Sequence, residues 1–522
     1  MSANQQVTAR GMILLFLVLV NVLVLRSGYT SGVQGYWPLL ITLPLLIVAI
    51  YNVRQRKHAL LRNYPLIGYL RYWFEAIRPE MRQYFFESDL DGKPFSRRQR
   101  SIVYQRSKNE KQTVAFGMQA DPSAPGNEWV AHSMYPARLK QKDLRVMVGN
   151  YQCLQPYDCS IYNIGAMSYG ALSKTAIQSL NEGAKLGGFA HNTGEGGISE
   201  YHLRGGDLVW QIGTGYFGCR DEQGNFNDEA YAHNALRPEV KMIELKISQG
   251  AKPGHGGILP ASKNTEEIAQ IRGVEPGTTV YSPPAHSAFN NAMEMMKFLS
   301  RLRILSGGKP VGFKICVGDK NEFIDICAAM TSTGIIPDFI TIDGAEGGTG
   351  AAPLEFTDHL GMPMHEAIAF VSQSLEVYGL RKHIKIFAAG KIITGFDILK
   401  ALSLGADACY SARGMMLALG CIQALQCDSG RCPVGIATQD PSSYGALDIT
   451  DKRVRTTSFH ANTIKATMEI MEACGFESTS NVSPTKFFRK VDAVRTLDFE
   501  EIYFSNADPL VNRPANKLAA LN

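Results

Sequence analysis

Several things are scarce in this chain, and each scarcity removes a class of answer. Cysteine is thinly spread, ten in 522 residues, which is too sparse for a disulfide scaffold. Dense Lys/Arg runs with interleaved aromatics are missing from the body, and the formal net charge is only +5, so nucleic acid is excluded as an expected partner. No G-x-G-x-x-G opens a helix, which counts against a doubly wound dinucleotide-binding sheet. There is no low-complexity tract and no short-period repeat. No apolar run reaches the ~20 residues of a comfortable membrane span. What remains, 45% hydrophobic residues and 49 Gly, suits one large α/β domain with appendages or two or three ordinary domains.

Two shorter apolar runs open the protein, 12–25, interrupted only by Asn21, and 37–51, containing Pro38 and Pro44. A signal peptide would explain Arg10 and the first run, but no small-x-small cleavage site follows Leu25 and the second run would have no role. A transmembrane hairpin accounts for both. Arg54, Arg56, Lys57, His58 and Arg62 follow the second run while the connecting loop carries only Arg26, so the positive-inside rule places the body in the cytoplasm at an inner membrane. Monotopic insertion and export are the alternatives. From 54 to 87, arginines mix with Tyr69, Tyr72, Trp73, Phe74, Tyr84 and Phe85, a blend suited either to a headgroup surface or to an amphipathic helix packed on the domain. From 89 to about 152 the chain is charged and irregular.

Beyond residue 161, eight apolar strand-length runs recur with helical patterns between many of them: 161–167, 189–193, 242–248, 278–282, 311–317, 339–343, 384–388 and 408–411. This count predicts a (β/α)8 TIM barrel. Polar and Gly-rich pieces fall at the carboxyl ends of these runs, where a barrel carries its active site. Loops after the last two strands hold Gly390-Lys391 and Ala412-Arg413, small residues and cations that suit a phosphate. Gly347-Gly348-Thr349 lies in a stretch bare enough for a planar ring. Lys246, on the same strand face as Glu244, needs an anionic neighbour, either a core carboxylate or a reduced flavin. Lys252 lies in a Gly-rich loop suited to covering a substrate.

Cys421, Cys427 and Cys432 form a C-x5-C-x4-C array closed by Pro433. Soft thiolates and a following Pro suit an iron–sulfur cluster, and three ligands without a fourth suit a three-iron one; structural zinc and unligated thiols are the other readings. Reduced thiols again point to the cytoplasm. Phosphate, planar ring, anion and cluster together point to FMN, which takes electrons singly and passes two as hydride.

The stretch from about 161 to 441 resembles the FMN-binding synthase domain of the glutamate synthase family, in 165–173, 193–197, 249–257, 282–284, 347–351 and 421–439. The resemblance implies a barrel carrying FMN and a [3Fe-4S] cluster that reduces 2-iminoglutarate, formed from 2-oxoglutarate and ammonia, to glutamate. It also implies FMN contacts at Ser168, Thr193, Lys246, Gly348 and Gly390, cluster ligation by the three cysteines, and Glu195 coupling ammonia arrival to the flavin site. Catalytic roles fall to Lys246, Glu195 and Lys252; substrate positions are Tyr216, Lys252, His255 and Ile258. The sequence departs from the family at three of these: Tyr216 stands where the family has a carboxylate-gripping Arg, Ile258 where it has Gln, and His255 where it has an acid. Ser2 replaces a nucleophilic Cys, there is no room for an amidotransferase domain before Ile161, and no dinucleotide fold is visible. Ammonia or an amine is expected from solution or a partner, and electrons from a ferredoxin or reductase subunit. The rival functions are a membrane-linked amino acid or amine dehydrogenase and a non-catalytic electron-transfer subunit. The expected divisions are 1–53 hairpin, 54–150 basic wrapping segment, 151–450 barrel with cysteine insertion, and 451–522 helical extension.

Overall fold

The computed structural model describes residues 3–110, 112–140 and 144–505, with side chains from residue 11 onward. Ser2 and residues 506–522 of the expected C-terminal extension lie outside the described residues. The chain divides into two compact units, residues 1–97 and 98–522. The boundary falls within the stretch 54–150.

In the first unit, two membrane-spanning helices, α1 (Ala3–Ser31) and α2 (Leu39–Arg54), form a hairpin. The apolar stretches run longer than the sequence runs, 21 and 22 residues, because Ser27 to Ser31 continue α1 as helix and the turn Val33–Tyr36 extends the second stretch. At about 1.5 Å per residue each spans roughly 30 Å, the thickness of a bilayer core. Asn21, the polar interruption of the first run, is the inter-helix lock: its Nδ2 donates to Thr42 O (3.2 Å) while Thr42 Oγ1 donates to its Oδ1 (3.0 Å). A satisfied polar pair inside the hairpin avoids an unpartnered amide in lipid.

In the second unit, eight parallel strands close into a barrel: β1 (Tyr162–Ile164), β2 (His191–Asn192), β3 (Leu208–Ile212), β4 (Val240–Lys246), β5 (Val311–Ile315), β6 (Phe339–Asp343), β7 (Lys385–Ala389) and β8 (Ala408–Ser411). Seven of the eight expected runs are barrel strands. The run 278–282 is not: Val280–Tyr281 pairs antiparallel with Ile258–Leu259 in an excursion after β4. The true third strand, β3, was hidden because Gln211 breaks its apolar pattern. Gln211 is buried because it faces a polar layer inside the barrel, where Asn192, Gln211 and Thr341 donate to the Glu244 carboxylate at 2.8, 2.6 and 2.6 Å. A long helix, Ile449–Cys474, covers the barrel beside Lys174–Gly187, and His460 stacks on Phe189 at 4.0 Å.

At the amino ends of the strands, Asp338 Oδ2 accepts from Arg303 Nη2 (2.9 Å) and Val311 N (2.8 Å), and its Oδ1 accepts from Asn150 N (2.8 Å). Removing one partner of a fully buried pair strands the other charge. Asp338→Ala is expected to lower unfolding stability by about 3–5 kcal/mol in chemical denaturation; a loss below about 1 kcal/mol, the level of an exposed pair, would contradict this reading.

Candidate active site

The carboxyl ends of the strands carry an unusual density of buried charge. Side chains alternate along a strand, so Lys246 follows Glu244 on the same inward face, one layer nearer the mouth. Beside it, in register on β5, lies Lys314. Lys246 Nζ is 2.8 Å from Glu195 Oε1, in the loop after β2, and Lys314 Nζ is 3.0 Å from Asp343 Oδ2 at the end of β6. Of the two partners the sequence allows for Lys246, this structure supplies the carboxylate.

Glu195 is the hub. A side chain at Gly257 would sit 2.7 Å from Glu195 Oε1, and one at Gly213 would sit 2.6 Å from Oε2, so only glycine lets the loops after β3 and β4 close on this carboxylate. Burial alone would raise its pKa, but Lys246 first, then Lys252 and Arg272, hold it below the usual carboxylate range. Lys252 is 2% exposed, and Nζ donates to Gly256 O (2.9 Å). Burial, reinforced by Lys246 and opposed by Glu195, brings its pKa down to about 8. Burial likewise lowers Arg272 to about 10, with Glu195 opposing. Arg272 Nη2 donates to Tyr169 O (3.1 Å) and approaches Ser168 Oγ (3.5 Å), and its buried Nε has no partner. Around one carboxylate, therefore, stand three cations. Such an enclosed imbalance suits an anion.

The expected cofactor-binding residues line the rest of the rim. Ser168, Gly347, Gly390, Lys391, Ala412 and Arg413 are half-buried, Gly348 and Thr349 exposed, and Thr193 fully buried, its Oγ1 donating to Gly194 O (2.9 Å). Arg413 donates to Glu346 O, and a side chain at Gly348 would meet its guanidinium at 2.6 Å. Burial raises the Glu346 pKa, with Lys391 opposing. Among the described residues seven non-glycine residues have positive φ; Tyr216, Ala251 and Lys391 follow β3, β4 and β7, and Gln423 and Leu425 lie between Cys421 and Cys427. Five of the seven thus fall at the mouth or in the cysteine segment, where strained backbone commonly accompanies function.

That segment closes on the mouth. A side chain at Gly350 would lie 3.0 Å from the Cys427 carbonyl carbon. Buried Lys263, from the excursion after β4, donates to Cys427 O (2.7 Å) and Ala437 O (3.1 Å), and Tyr104 Oη to Cys421 O (2.6 Å). Burial pushes the Cys421 thiol up to about 11, and Cys427 and Cys432 are near enough to add to that shift. Even so, among the described residues no group of three His, Cys, Asp or Glu side chains is arranged to hold a metal ion.

The expected substrate positions divide. Lys252 joins the anion site. Tyr216 is fully buried under it: its hydroxyl accepts from Ala288 N (3.2 Å) and pairs with His286 Nδ1 (3.0 Å), whose Nε2 meets Lys246 O (2.8 Å). Burial lowers the His286 pKa to about 4, so the ring is neutral; Nε2–H donates to Lys246 O and Nδ1 accepts from Tyr216. Tyr216 thereby steadies the end of β4. His255 is half-buried, with Nδ1 2.9 Å from Gly256 O, and Ile258 lies in the two-stranded excursion. Sequence reading missed Arg272, Lys314, Asp343 and His286. Lys314 carried the same signal as Lys246, a charge within an apolar strand; Arg272 ends a short helix and carried none.

Residues 140–477 match the family model described as the conserved region in glutamate synthase. The chain is 37% identical over 500 residues to the glutamate synthase large subunit-like protein YerD of Bacillus subtilis, covering 87% of this chain and 94% of that one. It is 38% identical over 343 residues to the archaeal glutamate synthase [NADPH] of Methanocaldococcus jannaschii, covering 65% of this chain and 62% of that one. The archaeal-type glutamate synthase [NADPH] of Thermotoga neapolitana is 38% identical over 278 residues, with 53% of this chain and 52% of that one covered. This chain therefore spans little more than half the length of those two synthases. A mutant flavocytochrome b2 with benzoylformate aligns over 80% of this chain and 85% of its own at TM-score 0.43 and 13% identity, too distant to bear on function. By the length of the family match and the near-complete alignment with the Bacillus protein, the chain belongs to the glutamate synthase family and is an oxidoreductase of that type at large.

Proposed function

We propose that this protein is an FMN-dependent oxidoreductase that reduces the imine of a 2-oxo acid to an amino acid, with 2-iminoglutarate as the leading substrate and electrons from a partner protein such as a ferredoxin or reductase subunit. The observation that carries the proposal is the excess of buried cations around Glu195. FMN fits the residues present: Lys391 and Arg413 in the loops after β7 and β8 suit its phosphate, Gly347 and Gly348 leave room along the backbone, and Lys246 or Lys314 suits the charge on its reduced ring. When bound, FMN supplies a hydride acceptor and donor that can also be charged one electron at a time.

The chain's own residues do the remaining work. Arg272 and Lys252 receive the substrate carboxylate. Tyr216 is not required as a clamp, because Arg272 offers a guanidinium with a free Nε–H at the same mouth. Lys252, poised near neutral pH, holds the proton that the imine nitrogen takes up as its carbon receives hydride. Glu195 keeps Lys246 fixed and charged, and its carboxylate is positioned to accept hydrogen bonds from incoming ammonia. The iron–sulfur reading rests on the donor set alone, three thiols beside the mouth. The N-terminal helices anchor the protein in the membrane; a cytoplasmic body follows from the positive charge after α2.

Anaerobic stopped-flow on the reduced, FMN-loaded protein tests the reaction: 2-oxoglutarate with ammonium should reoxidise the flavin faster than either alone. Reoxidation by that pair no faster than by buffer, with flavin reduction by glutamate or another amine instead, would assign the oxidative direction and refute the proposal. Iron analysis of the same preparation tests the cysteine array separately: three irons per chain would support the cluster, and a yellow, iron-free, active protein would remove it while leaving the flavin chemistry.

Lys252 yields a pH prediction. It serves as an acid, so it must be protonated in the free enzyme, and kcat/KM should fall as pH rises through about 8. Lys252→Met should abolish that limb and lower kcat/KM by about 10²–10⁴-fold, with Lys252→Arg restoring binding without the limb. An unchanged profile in Lys252→Met would exclude this role.

A further inference from the structure

The helix Gly68–Met81, continued by one wider turn through Arg82–Phe86, belongs to the first unit. Leu70, Trp73, Phe74, Ile77, Met81 and Tyr84 recur at three- and four-residue spacing, so they form one stripe along it. Nearly all of that stripe is bare: Leu70, Trp73, Phe74 and Tyr84 are 52%, 56%, 58% and 54% exposed. One flank of the stripe carries Arg71, Glu75, Arg78 and Arg82, with Arg71 paired to Glu75 at 2.9 Å. An apolar stripe of this length is costly in water and marks a surface that something covers.

Three observations identify the cover as lipid. The first is placement. Asn52, in the last turn of the second membrane helix, is 1% exposed; its Nδ2 donates to Pro65 O (2.6 Å) and its Oδ1 accepts from Tyr69 Oη (3.1 Å). Those bonds tie the start of the amphipathic helix to the end of a membrane span, which is the level of the headgroups. The second is composition, since tryptophan and tyrosine beside arginine are the residues of membrane–water interfaces. The third is charge. Residues 54–86 hold seven Lys/Arg (54, 56, 57, 62, 71, 78, 82) and two acids (75, 80), a formal +5. The whole chain is also +5, so its entire formal excess lies in this segment. The rest of the chain is balanced. A cationic segment at the end of a span is what an anionic leaflet attracts.

We infer that the helix Gly68–Met81 is a membrane-interface helix, lying in the headgroup layer of an anionic bilayer with the Leu70–Trp73–Ile77 stripe in the acyl boundary and Arg71, Arg78 and Arg82 among lipid phosphates. Its role extends anchoring from a two-helix peg to a surface footing.

The test uses the full-length protein in nanodiscs of mixed phosphatidylcholine and phosphatidylglycerol. The contribution of Trp73 is the difference in tryptophan emission between the wild type and Trp73→Phe, a substitution that keeps the ring in the stripe. The inference expects that component to be lost when lipids brominated near the glycerol level replace the ordinary ones, and to be protected from aqueous iodide. Iodide quenching without bromolipid quenching would overturn it. Protection from both quenchers would overturn it too, because a protein surface would then be covering the stripe.

Discussion

The structure at the barrel mouth depends on one carboxylate. Glu195 is enclosed by Lys246, Lys252 and Arg272 and by two glycine-bearing loops. Lys246 and Lys252 repel one another across a medium of low effective dielectric, and the single carboxylate is shared between them and Arg272. The cost shows in the lysine and arginine, both held less basic than usual by burial. The imbalance is relieved when an anion enters. The site therefore suits a ligand whose charge completes it, and this is the physical basis of the carboxylate-bearing substrate proposed above.

The rest of the fold serves that arrangement. The polar layer around Glu244 fixes the strands below the mouth through three short hydrogen bonds, and the neutral His286, held by Tyr216, grips the end of β4 from the side. The excursion after β4 carries Lys252, Lys263, Arg272 and His286. It thus reaches both the anion site and, through Lys263, the cysteine segment. One insertion connects the two places where the family's chemistry is expected to occur.

The barrel was legible in sequence because seven of its strands lie in apolar runs that lead into polar or Gly-rich loops. The eighth was not, since Gln211 serves an interior hydrogen bond that no local pattern announces, while the run 278–282 has strand composition but only a two-residue partner. Lys246 and Lys252 were legible as charge in an apolar or glycine-rich setting, and Glu195 through the family resemblance. Arg272 was invisible because only the tertiary fold brings the end of a short surface helix to the loop after β1. Reading Tyr216 as standing in place of a clamp came from the family resemblance; what the sequence did not announce is the pairing of its hydroxyl with His286.

The central claim is that an anion completes the charge at Glu195, and proton linkage measures it directly. Binding a carboxylate beside Lys252 must raise a pKa that stands at about 8, so the site must take up a proton as it fills. Calorimetric titration of 2-oxoglutarate at pH 8 in buffers of different ionisation enthalpy gives that proton count. The account predicts net uptake that disappears in Lys252→Met. Binding with no uptake, or with proton release, would contradict it.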